Sequence, residues 1–379
     1  MRRILVVLVV LLIGSGLLAT PAMAGDPPIT LPKNPTGLPA PVELPDELDP
    51  AAPYLPQTSC SPLDMPGVLK LRDLVMSTYG QGRAGSISRS CTEGVSEHSD
   101  GRAWDWMVDP NDKQQKAAAA DFLAWVTRDN GRNARRLGIM YVIYDEKIWG
   151  VYDTRAGWRP SRDHQDHVHV SLSWNGARGN VSFWTGKVSP TDYGPCVRFK
   201  GTYAARSGSP RTAACPAVSP LLVRTTLGDR QYGRTGGTVK KAQALLKVPR
   251  TGRFDDATWA AVRRYQRAHD IPYTGVLDQP TWASLSPSSV KSRTATPGTR
   301  SAAIAYGVAH YGDSVIRRGR VAKAVVVLQT ALGLPRADRN GFYDAVTLAA
   351  VKKMQGRAGM GRDGIVRAAE WRAMKSARN

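Results

Sequence analysis

Four of the six histidines of this 379-residue chain fall in two short windows. Ser96 to Asp105 reads S-E-H-S-D-G-R-A-W-D, and Asp166 to Val170 reads D-H-V-H-V, with His164 just before it. Imidazole and carboxylate suit a borderline-soft cation such as zinc, and a catalytic centre takes three protein ligands while leaving a fourth position open. His98, Asp105 and one histidine of the H-V-H pair would make such a set. On a strand, alternate residues share a face, so His167 and His169 point together while Asp166, Val168 and Val170 point away. Gly101 permits a close backbone turn and the small Ala103 leaves room for its neighbours.

The elements that must position these groups are legible around them. Asp112 to Asp129 has an Ala-rich helical pattern with Phe122, Leu123, Trp125 and Val126 free to face a core. Gly138 to Tyr152, rich in β-branched and aromatic residues, predicts one or two strands, and His167 to Trp174 alternates as another. Seven of the ten tryptophans lie between Trp104 and Trp184, so residues 59–216 should form one α+β domain. Trp104 and Trp106, which flank Asp105, read as core packing. His269 and His310 lie outside the motifs and read as surface or helix-end residues.

The N-terminus speaks to compartment. Arg2 and Arg3 precede an apolar run from Ile4 to Ala19, and Ala22-Met23-Ala24 offers small residues for cleavage, so residues 1–24 read as a secretory signal peptide. Residues 25–58, with ten prolines between Gly25 and Gln57, predict a disordered, extended stalk. Export favours disulfides over a thiolate metal site. Four cysteines allow three pairings; Cys60 with Cys91 and Cys196 with Cys215 keep each pair local, each worth roughly 3 kcal/mol. No C-x-x-C spacing suggests redox catalysis. The chain carries +21 formal charge, and residues 220–379 hold 28 Lys+Arg against 10 Asp+Glu. Outside a cell such a surface fits the anionic polymers of a Gram-positive wall. The expectation is therefore a monomer with no membrane attachment after cleavage and no nucleic-acid partner, since nucleic-acid binding would rest on charge alone.

The C-terminal part is an internal repeat at an offset of 89 residues. Thr251-Gly252-Arg253-Phe254 falls on Asn340-Gly341-Phe342-Tyr343, Thr258 on Thr347, Ala261-Val262 on Ala350-Val351, Gln266 on Gln355, and Trp282 on Trp371. Both copies resemble the peptidoglycan-binding domain 1 family, three-helix modules attached to wall hydrolases. The first copy (217–286) keeps Thr251, Gly252, Phe254, Thr258, Ala261, Val262, Gln266, Thr274, Gly275, Asp278, Thr281 and Trp282. The second (315–379) departs at Asn340, Asp363 and Glu370. Residues 287–314 read as a linker. Most of these positions would hold turns and core together rather than define a binding groove.

In the central domain, Ser96-x-His98-x-x-Gly101-x-Ala103-x-Asp105 with the later His167-x-His169 resembles the D-alanyl-D-alanine metallopeptidase and hedgehog signalling-domain group. The resemblance implies a small zinc-binding α+β fold with His98, Asp105 and His169 as ligands and His167 beside the metal. A zinc ion so held would lower the pKa of water towards about 7 for attack on a peptide carbonyl. The base could be His167, His164 or Asp166, in that order of preference, with Asp166 alternatively orienting a histidine. Arg89 is a candidate for holding a substrate carbonyl or carboxylate. The reading is a secreted zinc peptidase, a D-Ala-D-Ala carboxypeptidase- or endopeptidase-like hydrolase, on peptidoglycan stems or cross-links. The alternative is a non-catalytic wall protein with a metal-stabilised scaffold.

Overall fold

A computed structural model describes residues 25–376 apart from 93, 219–222, 270, 287–288, 293–296, 321, 336–337 and 340. The signal-peptide reading of residues 1–24 lies outside the described residues. Among those described, no helix is long and apolar enough to cross a membrane.

The central domain is built on a six-stranded antiparallel sheet in the order β1-β2-β6-β3-β4-β5. Its strands are β1 (Arg83–Ala84), β2 (Ala103–Met107), β3 (Ile139–Tyr144), β4 (Lys147–Gly150), β5 (Arg159–Pro160) and β6 (His167–Leu172). Period-two alternation divides the central strands. Trp104, Trp106, Val142, Val168 and Val170 are fully buried in one core with residues of α1 (Pro66–Tyr79) and α2 (Lys113–Leu137). Asp105, His167, His169 and Ser171 alternate with them and so take the opposite face. Asp112 caps α2 by accepting from the amides of Gln114 and Gln115. Non-helical backbone at Arg128–Gly131 then bends α2 near the point where the sequence pattern ends. Two short helices, α3 (Trp174–Arg178) and α4 (Ser182–Thr185), follow the sheet.

Residues 25–58 do not project as a disordered stalk. Leu38 and Ala52 are buried in the central core, and Ile29, Leu31, Leu44 and Leu55 pack against it. Proline denies this segment regular ladder bonds, so side chains of the domain supply the hydrogen bonds instead. Asp121 accepts from the amides of Thr36 and Gly37 at 2.7 and 2.9 Å, and Arg136 donates to the Pro45 carbonyl at 2.6 Å. Buried Asp49 accepts from the Ser182 and Ser189 amides. Gly37 has a φ of +69° and lies so close to Trp125 that a Cβ would fall 2.0 Å from the indole. The apolar residues between the prolines are what turn a stalk into a strap.

Both disulfides form as locality predicts, Cys60 with Cys91 and Cys196 with Cys215. The first copy consists of α5 (Gly237–Leu245), α6 (Asp256–Ala268) and α7 (Gln279–Leu285), flanked by a two-stranded ribbon of β7 (Val223–Thr225) and β8 (Val290–Ser292). Among the described residues the second has four helices rather than three: α8 (Arg300–Tyr311), α9 (Lys323–Ala331), α10 (Ala345–Arg357) and α11 (Ala368–Ser376). Helix α8 falls in the expected linker. Ala303 and Ile304 enter the core of this copy, and Gly307 lies directly on the Trp371 ring, where a Cβ would meet it at 2.1 Å.

A buried glutamine organises each half of each copy. Gln266 Nε2 donates to Thr274 Oγ1, the Val276 carbonyl and Thr281 Oγ1 at 2.8–2.9 Å, while its Oε1 accepts from the Gly275 amide at 2.9 Å. Gln243 does the same with Thr251, Arg253, Thr258 and Gly252. In the second copy Gln355 reaches Asp363 Oδ1 where the first has a threonine. Glu370, which stands where the first copy has Thr281, accepts from the Arg367 amide at 2.7 Å, the reverse of the bond by which Asp278 accepts from the Thr281 amide. The residues shared between the two copies are thus locks on turns, as expected of positions that hold the fold.

The first copy is seated on the central domain. Ser90 Oγ donates to the Tyr232 carbonyl at 2.5 Å, Gln231 donates to the Cys91 carbonyl, and Val276 packs with Cys60 and Cys91. Phe199, Ile271 and Phe342 form a small cluster that joins the central domain to both copies.

Candidate metal centre

Strand register builds the site. Asp105 on β2 is directly opposite His169 on β6, and Met107 is opposite His167. His98 arrives from a short 3-10 turn, Glu97–Asp100, capped by Ser96 at its start and ended by Gly101 at φ +74°. A Cβ on Gly101 would lie 2.0 Å from the Leu63 carbonyl, so both the turn and the close approach require glycine. The S-x-H-x-x-G spacing is therefore a device for presenting His98 to the sheet.

His98, Asp105 and His169 are all buried, and one ligand atom from each converges. His169 Nδ1 is 3.0 Å from Asp105 Oδ1, and His98 Nε2 lies 3.2 Å from each of them. Bonds of about 2.1 Å in tetrahedral geometry put ligand atoms roughly 3.4 Å apart, so a small cation fits with little movement. The partner atoms behind the ligands agree. His98 Nδ1 is 2.6 Å from the Ile87 carbonyl, which can only accept, so Nδ1 carries the proton and Nε2 offers its lone pair. His169 Nε2 is 2.9 Å from Ser171 Oγ, leaving Nδ1 for the same task.

Electrostatics favours ligation. Burial pushes Asp105 up, but the adjoining His169 and His98 imidazoles prevail and hold its carboxyl well below the usual range. Burial pushes His169 down to about 4, which keeps its imidazole neutral and able to bind a cation in mildly acidic surroundings.

The remaining sequence candidates are drawn to the same place. His167 Nε2 is 3.6 Å from Asp105 Oδ1 at the partly exposed edge of the site. Its Nδ1 is 2.7 Å from Asp166 Oδ1. The His164 ring is 4.8 Å from that of His167 and 5.4 Å from that of His169. His164 and Asp163 both have left-handed backbone, at φ +68° and +63°, a strain retained only where surroundings enforce it. Arg89 contacts Asp105 Oδ2 rather than standing free for a substrate, so it fixes which carboxylate oxygen faces the imidazoles.

Sequence reasoning missed the residues behind the ligands. Tyr141 stacks on His169 with ring centroids 5.6 Å apart and donates to Glu97 Oε2 at 2.5 Å. Fully buried Arg102 pairs with Asp100 at 3.0 Å and donates to the Leu172 carbonyl. Ser171 had a signal: it follows the H-x-H alternation one step further on the same face. Tyr141 had none without the β3–β6 register.

Residues 235–285 match the peptidoglycan binding domain family. That match covers the three helices of the first copy and supports peptidoglycan as a partner and association with the cell wall outside the cell. Residues 65–169 match the family described as VldE, C-terminal domain. This second match begins at α1 and ends at His169, so it encloses all three candidate ligands. No curated protein and no solved structure gave a match to the chain.

Proposed function

We propose that this chain is a secreted zinc peptidase that hydrolyses peptide bonds in the stems or cross-links of peptidoglycan. The observation that carries this reading is the convergence of three buried donor atoms beside the partly exposed His167, on a chain that also carries a peptidoglycan-binding module. The likeness to D-alanyl-D-alanine metallopeptidases rests on the two motifs. Their geometry, with His98, Asp105 and His169 as ligands and His167 beside them, supports it.

Zinc, when bound, supplies Lewis-acid polarisation of a carbonyl and makes water more acidic. The other tasks fall to the chain. His167 Nε2 takes the proton released by water and returns it to the leaving amine, while Nδ1–H remains bonded to Asp166. Asp166 fixes the His167 tautomer and ring angle. Arg89 anchors the outer oxygen of Asp105, and His164 narrows the entrance beside His167. The basic C-terminal region keeps the enzyme on an insoluble, anionic substrate.

Mass analysis of peptidoglycan digests tests this. Zinc-loaded protein should release peptides or free amines, with loss on chelation, recovery on zinc add-back, and no product from His98→Ala. Identical digests from both proteins would sink the reading. A metal-stabilised, non-catalytic scaffold is the second reading, favoured by the burial of all three donors. Wall binding with no metal-dependent product would select it.

A further inference from the structure

Arg206, Arg263 and Arg267 gather around two aromatic rings where the central domain meets the first copy. The Arg263 guanidinium lies 4.1 Å from the Trp259 ring centroid and 4.4 Å from that of Tyr273. Arg206 approaches the same indole at 5.8 Å, and Arg267 approaches Tyr273 at 5.0 Å. The Arg206 amide donates to the Tyr273 carbonyl at 2.9 Å, which ties the two domains together at this point. Ring faces attract a cation, but three cations on two rings repel one another.

Among the described residues, no carboxylate pairs with any of the three arginines. Buried Arg263 Nε has no hydrogen-bond partner. By contrast, neighbouring Arg178 is matched by Asp192 at 2.8 Å. Burial, and then the charges of Arg263 and Arg178, push Arg206 below the usual arginine range. Arg206 also lines a cavity of about 340 Å³ with Arg178, Asn180, Ser59, Ser61 and Asp100. Asp100 is already committed to Arg102 and Ser59. The cavity wall therefore offers donors and a cation, Arg206, whose charge no carboxylate among the described residues answers.

We propose that Arg206, Arg263 and Arg267 form a binding site for the phosphate groups of a polyol-phosphate polymer. A phosphodiester offers several oxygens to planar guanidinium forks, a geometry that arginine serves and lysine does not. The excess of 28 basic over 10 acidic residues in 220–379 would draw such a polymer to this surface. The proposal depends on the wall-associated reading only for the source of the phosphate.

Titration of the full chain with soluble polyglycerol phosphate tests the site apart from any peptidase activity. Arg206→Gln with Arg263→Gln should weaken binding about tenfold or more. Lys352→Gln with Lys353→Gln removes the same charge from an exposed face and should change binding less than about twofold. Equal losses from the two pairs would overturn the proposal in favour of a diffuse field. If the glutamine pair melts early, Arg206→Lys with Arg263→Lys keeps charge and stems. Undiminished binding by that lysine pair would also overturn it. A muramyl peptide that displaces the polymer competitively, with the same dependence on both arginines, would make this a carboxylate site instead.

Discussion

Asp166 Oδ1 lies 2.7 Å from His167 Nδ1, so the side chain that strand alternation turns away from the metal site still governs the histidine that faces it. The hydrogen bond from His167 holds the Asp166 carboxyl below its usual range, consistent with an ionised partner. Asp166→Asn should lower peptidase turnover about 10–100-fold while metal content stays unchanged. Steady-state rates and metal analysis on the same preparation check both halves of that expectation.

Ser171 and the Ile87 carbonyl fix the two histidine tautomers from behind. Ser171→Ala should weaken zinc affinity by about one order of magnitude, whereas His169→Ala or Asp105→Asn should abolish stoichiometric binding. Competition with a chromogenic chelator reads the affinity. Zinc removal should also lower the melting temperature of the wild-type chain, because a ligand bound only by the native state stabilises it by mass action.

Two equivalent helix caps should respond oppositely to pH. Burial pushes Asp278 up to about 7, whereas backbone hydrogen bonds from Thr258 hold Asp255 low. The unfolded chain releases a carboxyl proton near its ordinary value, about 4. Folding that raises the value therefore loses stability as pH climbs from about 4 to 7, and levels off above 7. Folding that lowers it, as at Asp255, loses stability only as pH falls below about 4. Hydrogen exchange at the α7 amides should show opening become easier between pH 5 and 7, and Asp278→Asn should flatten that slope.

Gln266 makes four hydrogen bonds with none of its surface exposed. Gln266→Leu would leave the Gly275 amide and the Val276 carbonyl without their partner, at about 3 kcal/mol. Denaturant unfolding monitored within the first copy should show a loss of that size, accompanied by weaker sedimentation with sacculi.

Deleting residues 25–58 should destabilise the central domain rather than merely shorten the protein. The deletion exposes the surface beneath Leu38, Leu44 and Leu55 and removes the acceptor that the Leu55 carbonyl gives Arg102. A lower melting temperature with increased dye binding is expected. An unchanged melt would show the strap to be dispensable.

The clustering of His98, Asp105 and His169 was legible because their spacing is a property of local geometry: a glycine-ended turn for His98, and strand alternation for His169. The disulfides followed from locality. The strap was not legible, because proline content signals the absence of regular structure but says nothing about docking; α8 follows the Ser/Thr/Pro-containing stretch, and nothing in its own Ala-rich sequence says that it packs on the second copy. Leu38 is a single apolar residue between Gly37 and Pro39 whose partners in the central core lie far away in sequence. Arg89 was legible only as a candidate for substrate or as a surface arginine, because nothing in the chain order reveals that β2 brings Asp105 beside it. The glutamine locks show why the residue types of the repeat signature recur.

The seat of the first copy on the central domain has a mechanical consequence. Ser90 and Cys91, one and two residues after Arg89, carry the hydrogen bonds to Tyr232 and Gln231. An anchor bolted this close to the candidate metal site cannot let it roam as a long tether would. The working radius is set by the body of the protein, so bonds would be met at a constant stand-off from wherever the anchor grips. Progress across the mesh would then require letting go and gripping again, which makes the off-rate of the anchor, rather than the length of a leash, the quantity that sets how much ground is covered.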